Sequence, residues 1–83
     1  MTLKEIHNKI NNGLTITVKQ YDRITEIKFI SIDDEIIWTE SRNGKRPVKH
    51  TGRWNFDGKY FSFESFRNHR WWTINTSENF KIV

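Results

Sequence analysis

The spacing of the apolar residues changes once along the chain, at Gly13, and this change restricts the fold more than any other feature. Before Gly13, Leu3, Ile6 and Ile10 recur at the three-to-four-residue spacing of one helix face. After it, apolar and polar residues alternate from 14 to 19, as in a half-buried strand. The sequence therefore predicts one helix followed by strands.

The signals at both ends of the predicted helix agree with this reading. Thr2 and Glu5 have the spacing of a capping box, in which each side chain accepts a hydrogen bond from the other residue's backbone. Asn11, Asn12 and Gly13 tolerate a positive φ where the helix should stop. A helix over 3–12 is too short to be stable alone in water, so we expect it to cover a sheet.

Six further segments have strand character. Asn43-Gly44 and Asp57-Gly58 are strong hairpin signals, because both dipeptides accept the positive φ of tight turns. We also expect a bulge or bend at Gly52. Together with the strand at 14–19, the predicted strands are 24–32, 35–41, 48–56, 60–66, 70–76 and a short closing strand around Phe80 and Ile82.

Composition supports a single, mostly β domain spanning residues 1–83. Cysteine is absent, so apolar burial must hold the core together without disulfides. The chain is rich in isoleucine and aromatic residues and has no alanine, which favours strands. We predict an α+β fold that is mostly β, in which one short N-terminal helix precedes an antiparallel meander of five to seven strands. The sheet should be strongly curled or form a small SH3-like barrel.

If Asp57-Gly58 is a two-residue loop, the pairing of the fourth and fifth strands follows, and it predicts which side chains share a face. Trp54 then lies opposite Phe61, and Gly52 lies opposite Phe63. We expect an aromatic core cluster on this face. Its members are Trp54, Phe56, Phe61 and Phe63.

The same treatment of Asn43-Gly44 predicts the surroundings of Trp38. Trp38 would lie opposite Lys49, on the face away from Val48 and His50. A slip of one residue would reverse this assignment.

Positive charge is concentrated in the second half of the chain. Residues 1–41 contain five Lys or Arg and seven Asp or Glu, whereas residues 42–83 contain nine and three, and the chain carries +4 in all. The second half also holds three of the four tryptophans. This asymmetry indicates an anionic partner.

The cations and the tryptophans together predict a nucleic-acid interface. A cationic hairpin at 42–53 and a second basic cluster before Trp71-Trp72 could contact phosphates, while exposed indoles stack on bases. We expect Trp38 and one of Trp71 and Trp72 to be partly exposed, although each could equally belong to the core. The partner would be RNA or another single-stranded nucleic acid. The candidate residues are Arg42, Lys45, Arg46, Lys49, His50, Arg53, Arg67, His69, Arg70, Trp38, Trp71 and Trp72.

Two other functions compete with this prediction. The same surface could bind and inhibit a protein, as in a phage-like host-directed or toxin-neutralising inhibitor, and an AT-rich codon bias would suit such an origin. Alternatively, His50 and His69 could act as acid and base in a metal-free ribonuclease. We predict no enzymatic activity, no cofactor, no metal site and a cytoplasmic location without a membrane span, and the oligomeric state stays open.

Overall fold

The computed structural model describes residues 2–78 and 80–82, which form one helix and seven strands. The predicted fold class is correct, and the observed bounds lie within a few residues of the predicted ones. The elements are α1 (Leu3–Asn11), β1 (Thr15–Gln20), β2 (Arg23–Ile32), β3 (Ile36–Arg42), β4 (Val48–Phe56), β5 (Tyr60–Ser65), β6 (Trp71–Asn75) and β7 (Lys81–Ile82).

The capping box begins α1 as predicted. Thr2 Oγ1 accepts the backbone N–H of Glu5 at 3.2 Å, and Glu5 Oε1 accepts that of Thr2 at 3.2 Å. The Glu5 carboxylate accepts hydrogen bonds from the Thr2 backbone N–H and from the Thr2 hydroxyl, and these two bonds hold the pKa of Glu5 below its ordinary value. Ile6 and Ile10 are buried, whereas Leu3 is exposed, so the apolar stripe is shorter than the sequence suggests.

The strands form one antiparallel meander in sequential order, curled into a nearly closed barrel. β1 and β7 lie beside each other, and a groove separates them. In the part of the chain that the structure describes, they are not paired by a hydrogen-bonded ladder. The buried faces of the strands and helix α1 make one continuous core.

The register of β4 against β5 differs from the prediction by two residues. Asp57 Oδ1 accepts the backbone N–H groups of Lys59 and Tyr60, and three residues, 57–59, separate β4 from β5 instead of the predicted two. Phe56 pairs with Phe61, and Trp54 with Phe63. Because side chains alternate with a period of two, this shift preserves the faces and the predicted aromatic cluster is confirmed.

The register of β3 against β4 differs by one residue, which reverses the faces. Asn43 and Gly44 form the predicted turn, with φ values of 51° and 73°. Trp38, however, pairs with His50 and not with Lys49. Pro47 lacks an N–H and cannot join the ladder, so the segment after the turn gains one unpaired residue. The predicted placement of Trp38 is therefore wrong.

Gly52 permits close contact between β4 and β5. A Cβ built at this residue would overlap the backbone carbonyl of Glu64. The predicted bulge is not at Gly52, because its pairing with Ile36 and Ser65 is in regular register. The register instead shifts in β2 between Phe29 and Ser31.

The two ends of the barrel differ in charge. In a meander, alternate connections lie at the same end of the sheet. The connections β1–β2, β3–β4 and β5–β6 carry four Lys or Arg and one Asp; we call this the basic end. Over their described residues, the connections β2–β3, β4–β5 and β6–β7 carry five Asp or Glu and one Lys, and form the acidic end.

Helix α1 covers the acidic end and leaves the basic end open. Asn11 Oδ1 accepts the backbone N–H of Ile32, and the His7 ring contacts Trp54 edge-on at 5.5 Å between centroids. Both partners lie toward the acidic-end connections. Among the residues placed here, no helix is long and apolar enough to cross a membrane.

Substitution of Gly52 tests the close approach of β4 and β5. Gly52→Ala should lower the free energy of unfolding by about 2–3 kcal/mol or more, because the new methyl group must push two paired strands apart. Gly44→Ala is the control: no atom lies within 4 Å of its Cβ, and only its positive φ opposes the change, at roughly 1 kcal/mol. Urea unfolding measures both. Equal losses would contradict the assigned packing.

Candidate functional site

A pocket of about 360 Å³ opens at the basic end. Antiparallel order builds it, because β3 and β5 end here and β4 begins here. Its lining combines a buried carboxylate and a histidine with four cations. The lining residues are Glu40, Arg42, Lys45, Arg46, Val48, His50, Arg67 and Asn68.

Glu40 is the centre of a buried polar network beneath the pocket. It follows Ile36 and Trp38 on the inward face of β3 and is 6% exposed. Glu40 Oε2 accepts the indole N–H groups of Trp38 at 3.0 Å and Trp72 at 3.3 Å. Hydrogen bonds to a charged group are worth about 1.5–3 kcal/mol each, so the two indoles offset much of the cost of burying the carboxylate.

His50 completes the network from β4. Its Nε2 lies 3.6 Å from Glu40 Oε2, and its Nδ1 lies 2.8 Å from Ser65 Oγ. Ser65 Oγ also accepts the backbone N–H of Arg67 at 3.1 Å. The ring stacks on Trp38 at 5.5 Å between centroids. Contacts on both ring nitrogens and one ring face hold His50 in a single orientation.

Glu40 Oε1 is the oxygen available to a ligand. Within residues 2–78 and 80–82 it accepts no hydrogen bond, yet it is not sealed from solvent, and Glu40 lines the pocket. The two carboxylate oxygens therefore differ: Oε2 is held by the indoles and faces His50, whereas Oε1 can accept a hydrogen bond from outside.

The β3–β4 hairpin holds the cationic rim in place. Asn43 exchanges hydrogen bonds with the backbone of Ile24, accepting at 2.8 Å and donating at 2.7 Å, which ties the loop to the β1–β2 hairpin. Ser41 Oγ donates to the Lys45 carbonyl. The rim cations are Arg42, Lys45, Arg46 and Arg67. None of the four forms an ion pair within the described ranges, so their charge is free to meet an anion.

The structure brings only part of the predicted site together. The five predicted residues that line the pocket are Arg42, Lys45, Arg46, His50 and Arg67. Arg70 lies over the Trp72 ring at 4.2 Å, and Lys49 is exposed on the opposite face of β4 from His50.

Three predicted residues lie in a separate outer patch, where they surround Glu64. The outer patch is defined as Arg53, His69, Trp71 and Glu64. Arg53 Nε donates to Glu64 Oε1 at 2.6 Å, and its guanidinium lies over the Trp71 ring. His69 Nδ1 lies 3.9 Å from Glu64 Oε2. His50 and His69 thus contact different carboxylates.

The tryptophans divide between the core and the surface. The prediction that Trp38 is partly exposed is wrong: it is 0% exposed, because the β3–β4 register turns it inward. Trp72 is buried at 4%, whereas Trp71 is 46% exposed. One member of the Trp71-Trp72 pair is therefore exposed, as predicted.

Sequence analysis missed Glu40 and two exposed aromatic residues at the basic end. The alternation Ile36, Trp38, Glu40 in β3 is the signal that assigns Glu40 to the inside. Tyr21 and Phe66 are exposed in the β1–β2 and β5–β6 connections. No short-range pattern marks them, because only the meander brings those connections together.

Most of the exposed large apolar side chains lie at the basic end of the barrel. Of the seven in the described ranges, five lie at or beside the basic-end connections, namely Tyr21, Ile24, Val48, Phe66 and Trp71. Exposed apolar groups at the same end of a domain as a cationic pocket are typical of a binding surface.

Comparisons with known proteins assign no family. We found no protein family, curated protein or solved structure that the chain matches. Within the described part of the chain, no three His, Asp or Glu residues are grouped so that they could hold a metal ion.

Acrylamide quenching tests the assignment of the tryptophans. Trp71→Phe should remove most of the readily quenched fluorescence, because Trp38 and Trp72 are buried and Trp54 is only partly exposed. Trp38→Phe should leave the readily quenched component intact. Strong quenching that survives Trp71→Phe would contradict the assignment.

Proposed function

We propose that this protein binds single-stranded RNA at the basic end of the barrel. The observation that carries the proposal is the pocket rimmed by four cations without ion-pair partners among the described residues. Phosphates supply most of the electrostatic affinity of nucleic acids, and Arg and Lys are the residues that contact them. Arg53, which is already paired with Glu64, is a weaker candidate for phosphate binding.

The size of the pocket favours a single strand over a duplex. A volume of about 360 Å³ admits one nucleotide-sized group. Bases in a duplex are stacked and paired, so they would first have to be extruded, whereas a single strand can present a nucleotide directly.

The free oxygen of Glu40 favours RNA over DNA. A carboxylate repels phosphate, but a ribose 2′-hydroxyl can donate a hydrogen bond to it. Glu40 Oε1 is available for this contact, while the four rim cations outweigh its single negative charge. DNA lacks the 2′-hydroxyl and would leave Oε1 without this donor.

Exposed aromatic side chains at the basic end support stacking of neighbouring bases. Tyr21, Phe66 and Trp71 are all exposed at this end. A stacked base contributes about 1–3 kcal/mol and requires no particular base identity. Phosphate contacts at the rim and stacking outside it predict binding with little sequence preference.

A protein partner is the second candidate function. The exposed ring of Tyr21, Ile24, Val48, Phe66 and Trp71 favours it, because aromatic residues and arginine are common interface anchors. The two functions differ in salt dependence: an interface anchored by apolar groups loses far less affinity with rising salt than phosphate contacts do. The predicted cytoplasmic location suits either partner and stays a prediction.

The salt dependence of RNA binding tests the rim. Four phosphate contacts should give a slope of log K against log salt of about −3, and Arg46→Ala/Arg67→Ala should reduce it to about −1.5. Lys4→Ala/Lys28→Ala is the matched control, because it removes the same charge from exposed positions outside the pocket lining. Titration of an oligoribonucleotide followed by fluorescence anisotropy measures the slopes. Equal slopes for the two double variants would refute the rim as the contact.

Removal of the Tyr21 side chain should have opposite effects on the stability of the fold and on RNA binding. It is fully exposed and has a φ of 54°, a conformation that costs a non-glycine residue about 1–2 kcal/mol. Tyr21→Gly should therefore stabilise the fold or leave it unchanged, while weakening RNA binding through the lost stacking. Tyr21→Phe should keep the affinity. Thermal unfolding and anisotropy measure the pair, and unchanged affinity in Tyr21→Gly would exclude Tyr21 from the interface.

A further inference from the structure

The fold by itself does not account for Glu40 and His50 in the barrel interior. Both are 6% exposed at inward-facing positions, where the equivalent residues toward the acidic end are apolar. Burying a carboxylate and an imidazole costs free energy that well-packed apolar side chains would not require. Their position at the pocket indicates a chemical role.

The hydrogen bonds of His50 suit it to donate a proton from Nε2. A serine hydroxyl has two acceptor positions, so Ser65 Oγ can accept both the Arg67 N–H and an Nδ1–H from His50. In the imidazolium form, Nδ1 donates to Ser65 and Nε2 carries the second proton beside the Glu40 carboxylate. This form is a general acid held in a fixed orientation.

Glu40 provides the complementary base. Its Oε2 accepts the indole N–H groups, whereas Oε1 accepts no hydrogen bond from the described residues, and Glu40 lines the pocket. The atom that would accept a proton is therefore not the atom that faces His50. A carboxylate and an imidazolium in one cationic pocket can serve as the general base and the general acid of metal-independent RNA cleavage.

We propose that the protein cleaves single-stranded RNA at this pocket, with Glu40 as general base and His50 as general acid. The inference rests on the proposed function, because the RNA must first bind at the basic end. Glu40 Oε1 takes the proton of the 2′-hydroxyl, and the 2′-oxygen forms a bond to phosphorus. The bond from phosphorus to the 5′-oxygen breaks as His50 Nε2 protonates that oxygen.

The step is balanced without an oxidant, a reductant or water. Its products are a 2′,3′-cyclic phosphate and a free 5′-hydroxyl. It leaves Glu40 protonated at Oε1 and His50 neutral, and both groups return to their starting forms by proton exchange with water at the open pocket. The guanidiniums of Arg42 and Arg67 line the same pocket and would stabilise the charge that develops on the phosphoryl oxygens.

Ser65 does not act as a nucleophile in this scheme. The order Ser65, His50, Glu40 resembles a hydrolase triad, but Ser65 is 1% exposed and its hydroxyl accepts the Arg67 amide. A substrate carbonyl or phosphorus could not reach it. Ser65 is a positioning residue that orients the imidazole ring.

Cleavage of a labelled oligoribonucleotide in EDTA tests the inference. The wild-type protein should produce fragments that end in a 2′,3′-cyclic phosphate, identified by mass, and should leave the all-2′-deoxy oligonucleotide intact. Glu40→Gln keeps an acceptor for the indoles, and His50→Asn keeps a group that can contact Ser65. Each should lose at least about 100-fold in rate. His69→Asn makes the same change at the outer patch and should retain the wild-type rate.

A substrate with sulfur in place of the bridging 5′-oxygen distinguishes whether His50 acts as the general acid or only stabilises the structure of the site. A thiolate leaves without protonation, so His50→Asn should recover most of its lost rate on this substrate, whereas Glu40→Gln should not. Failure of His50→Asn to recover would remove His50 as the acid.

The outcomes distinguish this inference from the proposed function. RNA that binds with the expected salt slope but stays intact would overturn cleavage and leave binding standing. Absence of both binding and cleavage would overturn both. Activity that is lost in EDTA, or that persists at the wild-type rate in Glu40→Gln and His50→Asn, would also overturn the assignment. The wild-type product analysis decides the matter even where a variant fails to fold.

Discussion

The pairing of Trp38 with His50 determines what lies inside the open end of the barrel. In this register Trp38, Glu40 and His50 all project inward, where two indole N–H groups and an imidazole surround one carboxylate. A slip of one residue would turn all of β4's inward side chains to solvent and place Lys49 in the core. The site therefore depends on the single unpaired residue that the segment around Pro47 adds after the turn.

The basic and acidic residues of the connections separate between the two ends of the barrel. This separation is sharper than the one between the two halves of the sequence. The meander sends three connections to each end, and the basic and acidic residues divide between them. Helix α1 covers the acidic end and supplies Ile6 and Ile10 to the core, while the basic end has no such cover. The resulting field attracts anions to the basic end, and surface fields of this kind raise association rates.

Sequence predictions that relied on interactions between neighbouring residues were correct, and the predicted pairings between strands were not. The capping box, the Asn43-Gly44 turn and the period-two strands depend on neighbours in the chain, and each formed where it was expected. The predicted registers of the two hairpins were wrong by two residues and by one residue. Asp57 accepts hydrogen bonds from two backbone N–H groups in one hairpin, and Pro47 has no N–H to donate in the other. The shift of two residues leaves each side chain on its predicted face, so the aromatic cluster was predicted correctly. The shift of one residue reverses the faces, so Trp38 was assigned to the wrong one.

From the order of its residues alone, this chain determines a capped helix, an antiparallel meander of five to seven strands and an excess of cations in the second half, because these follow from local periodicity, turn chemistry and composition. Tertiary structure alone decided that Glu40, His50, Ser65 and Arg67 meet at one pocket and that Arg53, His69 and Trp71 lie outside it. The physical reason is that alternation assigns a side chain only to one of two faces. Which residues share a face across strands depends on register, and register is set by single hydrogen bonds in the connecting loops.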